Sequence, residues 1–490
     1  MTFFNLSFSR SPNRRNTYVS KLEQQVRWQS DHFVKAQIDQ TRLSISDSPI
    51  GHSTPFSFVV IGDTDPGLTD LGPSAQAVFS EAFSQQLGKA LNNSRFLLHT
   101  GDITYPSGTY ENYFNGFLKP YRMLLSQLPV SAKYNPQSIV FRQPFLPVIG
   151  NHDCGRAHRS LWQRSWLFMC DRLRQLGIDL GHYGGDGGEA YGKLFLDDLA
   201  ALSAVDIAKH LAAAYSAKCY TGFNSVHSEQ HCLNYQPGAF TRLPNRYYQF
   251  HYSGIDFFAL DSNSWNTSNQ QENFDQAQLD WLENALVASH QNPNACGRII
   301  YLHHSPYTTE ELRWQQSDTL WVRRHLRSVL DRSQRRLAAL DQHPQTPYAS
   351  QNKRLVDLVI SGHAHCLEYV KTVDTGHADS QLDWLVCGGS GVSLRRQRKA
   401  EGDILERLEN KNGHSYTDVV AKSQMYVGRH SHKRTKQNLH TFVRIDVRPD
   451  CHRRLSIQPF VVSQDSEGWH TQSLSAIDVG GSYSVATSLR

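Results

Sequence analysis

FSFVVIGD, residues 56–63, decides how the rest of the chain is read, because aromatic and β-branched residues run together and then break into Gly62-Asp63. A run this short, closed by glycine, predicts a buried strand with a polar tip. Four more runs repeat it: RFLLHTGD (95–102), FLPVIGNHD (145–153), RIIYLHHS (298–305) and LVDLVISGHAH (355–365). Between the first two, PSAQAVFSEAFSQQLGKALNN (73–93) carries apolar residues at helical spacing behind a proline, as a crossover helix between parallel strands does. The alternation predicts an α/β fold, a largely parallel or mixed sheet flanked by helices. RYYQFHYSGIDFFALDSNSW (246–265) reads as a hairpin turning at Ser253-Gly254, followed by a helix at 275–286. Helical insertions near 190–220 and 309–345 lengthen the spacing between runs without adding one. CGGSGVS (387–393) leads into a basic polar stretch from Arg395 to Lys436, and strands are expected again at 441–447 and 455–462.

These runs divide the chain into a polar N-terminal extension (1–54, with one short helix), a catalytic domain (55–465) and a C-terminal tail (466–490). With 39% hydrophobic and 19% charged residues, the composition is that of a globular protein. No stretch has the roughly 20 apolar residues that a membrane-spanning helix needs. The first twenty residues lack the apolar core of a secretory signal, so a cytoplasmic location is expected. The eight cysteines lie far apart without CxxC spacing, so reduced thiols are expected, with Cys219 and Cys232 the one pair that could bracket a loop. A net charge of +5, spread along the chain, suits an anionic substrate and leaves nucleic acid open as a partner.

In open α/β sheets, ligands bind beyond the carboxyl ends of the strands. Five such ends deliver Asp63, Asp102, Asn151, His152, His304, His363 and His365, a mixture of hard oxygen and imidazole nitrogen suited to Mn, Fe or Zn. There are too many donors for one ion and no clustered thiolates, which points to a two-metal hydrolytic site.

In this order, GDTD, GDITY, GNHD, the His of LHHSP and GHAH resemble the five-block signature of calcineurin-like metallophosphoesterases, and the Tyr of GDITY resembles that of the purple acid phosphatase branch. The resemblance implies a sandwich of two mixed β-sheets flanked by helices, with two divalent or trivalent ions (Fe, Mn or Zn). It places Asp63, Asp102, Tyr105 and His365 on the first ion, and Asp102, Asn151, His304 and His363 on the second, with Asp102 bridging. His152 would be the catalytic imidazole and Asp153 could orient its ring. The expected reaction is hydrolysis of a small phosphomonoester by a metal-bound hydroxide. The rivals are a phosphodiesterase acting on nucleotides, nucleic acid or phospholipid head groups, and a catalytically silent binding module of the same fold. Tyr105, if ionised, would favour ferric iron.

This chain departs from the family at Asp65, where the superfamily mostly carries His and the purple acid phosphatases carry Gly. Asp65 could ligate the first ion or hydrogen-bond a neighbour. His303 could line the cleft or be packed. Asp261-Ser262-Asn263 reads either as a strand end near the active-site rim or as ordinary turn chemistry, and the RRQRK run at 395–399 is either a solvated loop or a phosphate clamp.

Overall fold

The computed structural model describes residues 22, 25–46, 55–64, 75, 94–127, 139–154, 187–216, 219–225, 228–270, 274–341, 354–400, 402–409, 415–429, 439–448 and 454–481. In chain order their strands are β1 (Ile38–Ile45), β2 (Phe56–Ile61), β3 (Ser94–His99), β4 (Phe145–Pro147), β5 (Tyr220–Ser225), β6 (Ser228–Tyr235), β7 (Tyr248–Tyr252), β8 (Ile255–Ala259), β9 (Gly297–Tyr301), β10 (Leu358–Ser361), β11 (Leu367–Thr372), β12 (Asp383–Cys387), β13 (Asp403–Glu409), β14 (Ser415–Val427), β15 (Leu439–Arg448), β16 (Arg454–Asp465), β17 (Gly468–Ser473) and β18 (Ile477–Asp478). They form two mixed sheets. The larger has eleven strands in the order β13-β14-β11-β12-β10-β9-β8-β7-β1-β6-β5, and the smaller has seven, with β17-β16-β15-β2-β3-β4 in line and β18 on β16.

The five runs are divided between the sheets. β2, β3 and β4 lie parallel in the smaller sheet, while β9 and β10 lie parallel in the larger one with β8 and β12 on either side. Every residue of β2, β9 and β10 is buried, which explains why these strands read as continuous apolar runs rather than alternating ones. The sheets meet through aromatic rings: Phe58 and Phe96 of the smaller sheet pack edge-on against Phe257 of the larger, both at 5.4 Å, and Phe96 meets Phe250 at 5.6 Å. Burying each such ring stabilises the fold by about 1.5–3 kcal/mol. The hairpin forms as expected, with positive φ at Ser253 (45°) and Gly254 (80°) giving the primed turn that suits the twist of β7 and β8.

Three boundaries differ from the sequence reading. Residues 1–54 do not all stand aside as an arm, because β1 inserts into the larger sheet parallel to both β6 and β7. The basic stretch after Arg395 contains β13 and β14, which extend that sheet. The expected tail at 466–490 contributes β17 and β18 to the smaller sheet. All these segments are polar on one side and pair at or near sheet edges, so their apolar signal is half that of the central strands. The expected crossover helix at 73–93 lies outside the described residues apart from Ala75. The insertions do contain helices, Ala204–Ser216 and Ser317–Asp341. Among the described residues no helix is long and apolar enough to cross a membrane. Cys154, Cys296, Cys366 and Cys387 are free thiols; Cys170 and Cys451 lie outside the described residues.

Candidate metal centre

The strand ends of the smaller sheet supply oxygen. Asp63 follows β2 and Asp102 follows β3, and both are buried. The Tyr105 phenol oxygen sits between them, 2.7 Å from Asp63 Oδ1 and 2.9 Å from Asp102 Oδ2, with His365 Nε2 at 3.4 Å. Asp63, Asp102 and His363 all have positive φ, of 54°, 52° and 67°. Non-glycine residues rarely adopt that conformation, and its clustering at three strand tips marks a backbone bent to aim side chains at one point. The neighbouring glycines make room. A Cβ on Gly150 would lie 2.1 Å from the Asp102 amide nitrogen, so only glycine allows the GNHD loop to close on Asp102.

The larger sheet supplies nitrogen. His303 and His304 leave β9 on opposite faces, as consecutive residues of an extended segment do. His303 contacts the Thr100 carbonyl through Nδ1 at 2.9 Å, and its Nε2 lies 2.9 Å from Asn151 Oδ1 and 3.3 Å from Asp102 Oδ2. A carbonyl only accepts, so Nδ1 carries a proton. His304 turns the other way, with Nδ1 at 2.8 Å from Ser262 Oγ and Nε2 at 3.2 Å from the Asn266 amide. His363 donates its backbone N–H to Asp63 Oδ2 at 3.0 Å, and its Nδ1 lies 3.2 Å from His303 Nε2. His365 Nε2 is 3.6 Å from Asp63 Oδ1.

The charges are unbalanced in a way that suits cations. Burial, together with the Asp102 charge, pushes the Asp63 carboxyl up to about 8 despite the opposing pull of His303. For Asp102, burial raises the carboxyl, but His303 and His152 outweigh it and hold it well below the usual carboxylate range. Two buried carboxylates, a phenol, an amide oxygen and several imidazoles converge here, and this donor set fits Mn, Fe or Zn. His363 Nε2 is also buried, with Asp318 Oδ2 3.3 Å away.

The structure brings Asp63, Asp102, Tyr105, Asn151, His303, His363 and His365 together. His304 lies beside His363, with ring centroids 4.6 Å apart, but His303 takes the place next to Asn151 and Asp102 that the family resemblance had given to His304. His152 is also here, its ring 4.2 Å from that of Tyr105 and its N–H on Asp102 Oδ1 at 2.8 Å. Asp153 does not orient that ring. Its carboxylate turns inward to accept from the Gly150 amide at 2.9 Å, the Tyr113 hydroxyl at 2.8 Å and the Ile103 amide at 3.2 Å, while His152 Nδ1 lies 3.0 Å from the Pro106 carbonyl. Orphaned loop amides bind a carboxylate more strongly than a nearby imidazole would, so the loop takes Asp153 for itself. Asp65 lies outside the described residues.

Two residues went unnoticed as site groups in the sequence, Asp318 and Asn266, while Ser262 was placed only in a turn near the rim. Asp318 opens the helix Ser317–Asp341, where a Ser-Asp pair reads as ordinary capping, and Ser262 sits in a turn whose composition suits any loop. The turn is held in place by buried Arg246, which pairs with Asp261 at 2.6 Å and with Asp275, and by Asn263, whose amide donates to the Ile149 carbonyl at 2.9 Å. Arg395 hydrogen-bonds the His365 carbonyl through its backbone N–H, and its guanidinium is 3.8 Å from buried Glu310.

No curated protein matches the chain significantly. Solved structures align over most of it: GAP50, the anchor in the inner membrane complex of Plasmodium (14% identity, 86% of this chain and 88% of that one, TM-score 0.36); the purple acid phosphatase PPD1 from yellow lupin seeds (13%, 88% and 55%, TM-score 0.42); and PhoD (13%, 86% and 72%, TM-score 0.35). This chain thus spans just over half of the lupin enzyme's length. The family model for calcineurin-like phosphoesterases matches residues 56–367, a span that begins with β2, ends just after GHAH and covers more than half of the 490 residues. By that match, over the segment that carries all five strand ends, the chain belongs to the calcineurin-like phosphoesterase family.

Proposed function

We propose that the chain hydrolyses phosphomonoesters at a two-cation centre built where the tips of the two sheets meet. The supporting observation is the position of Asp102. Its Oδ2 faces Tyr105 on one side, at 2.9 Å, and His303 on the other, at 3.3 Å, so one carboxylate reaches both donor sets. In this reading Asp63, Asp102, Tyr105 and His365 hold one ion, and Asp102, Asn151 and His303 hold the other with His363 beside them. Bound there, the ions supply Lewis acidity and an activated water at neutral pH.

The chain's own residues do the rest. The Pro106 carbonyl at 3.0 Å keeps the proton on His152 Nδ1 and fixes the ring, which leaves Nε2 to exchange a proton with the leaving alkoxide. Burial, and then the charges of Arg395 and Arg313, hold His365 well below its ordinary range, so both guanidinium groups are felt at the centre. Guanidinium charge near the centre, offset for Arg395 by Glu310 at 3.8 Å, suits an anionic phosphoester.

The test compares p-nitrophenyl phosphate with its bis ester, alongside elemental analysis and a visible spectrum. The expected result is about two metal equivalents with faster turnover of the monoester, and a charge-transfer band if Tyr105 ligates ferric iron. Faster turnover of the diester would support the phosphodiesterase alternative. Two bound equivalents with neither ester hydrolysed would overturn the catalytic reading.

A further inference from the structure

The helix Ser317–Asp341 carries an aromatic stack at the edge of the metal centre. Trp321 is half-buried, its ring within 14° of parallel to that of His325 at 5.5 Å, and His325 meets Phe274 at 4.8 Å. His325 Nε2 lies 2.8 Å from the Thr267 carbonyl, which ties the stack to the loop whose Asn266 amide is 3.2 Å from His304 Nε2. Trp321 follows Asp318 by three residues, so both project from one face of the helix, and Asp318 Oδ2 is 3.3 Å from His363 Nε2. The indole therefore stands about one helical turn, roughly 5 Å along the axis, from the residue that touches the centre.

Only one face of the indole is in use. His325 and the exposed Arg324, whose guanidinium is 5.3 Å from the indole centroid, belong to the next turn and reach Trp321 from its C-terminal side. Helical side chains lean toward the N-terminus, so the other face of the ring looks over the first turn, toward Asp318. No other ring or cation stacks on Trp321 among the described residues. Leu320, 40% exposed, and Leu312, 60% exposed, lie in the same stretch of chain and make it apolar, unlike the oxygen and nitrogen donors behind it.

We propose that the open face of Trp321 stacks a planar aromatic group on the alcohol side of the substrate, so that the chain prefers phosphate esters of aryl alcohols or nucleosides to small aliphatic ones. The inference rests on the phosphoesterase reading, because it names the leaving group of that reaction. A flat group joined to a phosphate held between the sheet tips is within reach of a ring one turn away. Stacking asks only for a π-face and so accepts either kind of ring, while Arg324 adds a cation beside the stack that suits electron-rich ones.

The experiment measures KM for adenosine monophosphate, O-phosphotyrosine and glycerol 2-phosphate with the full chain supplied with manganese. Trp321→Ala should raise KM for one or both aromatic esters about tenfold relative to glycerol 2-phosphate, with metal content unchanged, and Trp321→Phe should restore most of that selectivity. A rise for adenosine monophosphate alone assigns nucleosides, and a rise for O-phosphotyrosine alone assigns aryl alcohols. Val205→Ser, at an exposed apolar residue of the helix Ala204–Ser216, should leave the ratios as they are. Unchanged ratios in a folded Trp321→Ala variant, or an equal rise in all three KM values, would overturn the proposal. If no ester is hydrolysed, equilibrium dialysis of the two aromatic esters decides. Binding that Trp321→Ala weakens would sink the catalytic reading and keep the stacking face, whereas binding that is absent, or equal in both proteins, would sink the stacking face.

Discussion

The two sheets bring different chemistry to the same place. The smaller sheet's tips carry Asp63, Asp102, Tyr105 and Asn151, all oxygen donors, whereas the larger sheet's tips carry His303, His304, His363 and His365, all nitrogen donors. The halves complement each other: buried carboxylates alone repel one another, and imidazoles alone bring no charge to balance a dication. An ion bound between them would tie the sheets together at their tips and couple metal affinity to stability. Asp102 and His303 also meet directly across this junction, at 3.3 Å. Burial lowers the His303 imidazole, but the Asp102 charge and hydrogen bond reverse the shift and raise it to about 9.

Removing the junction should have the largest effect. Asp102→Asn leaves the shape intact but takes away the shared negative charge, so bound metal should fall well below two equivalents and kcat/KM by roughly three orders of magnitude or more. Unchanged stoichiometry, measured by elemental analysis, would contradict the bridging role. His152→Ala comes next. It removes the ring beside Tyr105 but keeps the backbone N–H on Asp102 and every proposed ligand, so metal content should hold while kcat drops about 10²- to 10⁴-fold. Equal turnover would remove His152 from the mechanism.

The central strands were legible because both faces are covered, leaving β2, β9 and β10 as largely apolar runs that end on ligand-type residues, behind a glycine in β2 and β10. The convergence of Asp63, Asp102, Asn151, His363 and His365 followed from the strand ends alone. The outer parts were harder to read. β1, β13, β14, β17 and β18 are half exposed, and their apolar pattern blends into that of loops. At the site, sequence order could not decide between His303 and His304, since adjacent residues of an extended segment point apart and the face each one meets depends on the other sheet. Asp318 was invisible for a different reason: its contacts lie 45 residues down the chain at His363, and locally it looks like a helix cap.

Asp153 sharpens the contrast between a residue that ligates or reacts and one that holds the loop. Asp153→Asn places an NH2 group among the amides of Gly150 and Ile103 and should cost about 2–3 kcal/mol of stability, read as a lower urea midpoint. The pH profile of turnover should keep its position. A displaced profile with unchanged stability would restore the role of orienting His152.

The smallest expected effect tests the comparison away from the centre. His440 lies in β15 of the smaller sheet, buried, its ring 5.7 Å from Trp469 and neither nitrogen hydrogen-bonded. With no carboxylate among the described residues to reverse it, burial lowers this imidazole to about 4, opposite in direction to His303. The unfolded chain, near 6.5, binds a proton at a higher pH than the folded one, so stability is held above that value and lost as pH falls from 6.5 toward 4. At about 1.4 kcal/mol per pH unit, the loss by pH 4.5 is on the order of 2–3 kcal/mol. His440→Phe should remove that share, so the difference between urea midpoints at pH 7 and pH 4.5 should shrink relative to the unsubstituted protein. An equal difference in both would mean that water or a local opening already protonates the ring, and that paired and unpaired imidazoles in the two sheets are not separated by burial as the contacts of His303 and His440 require.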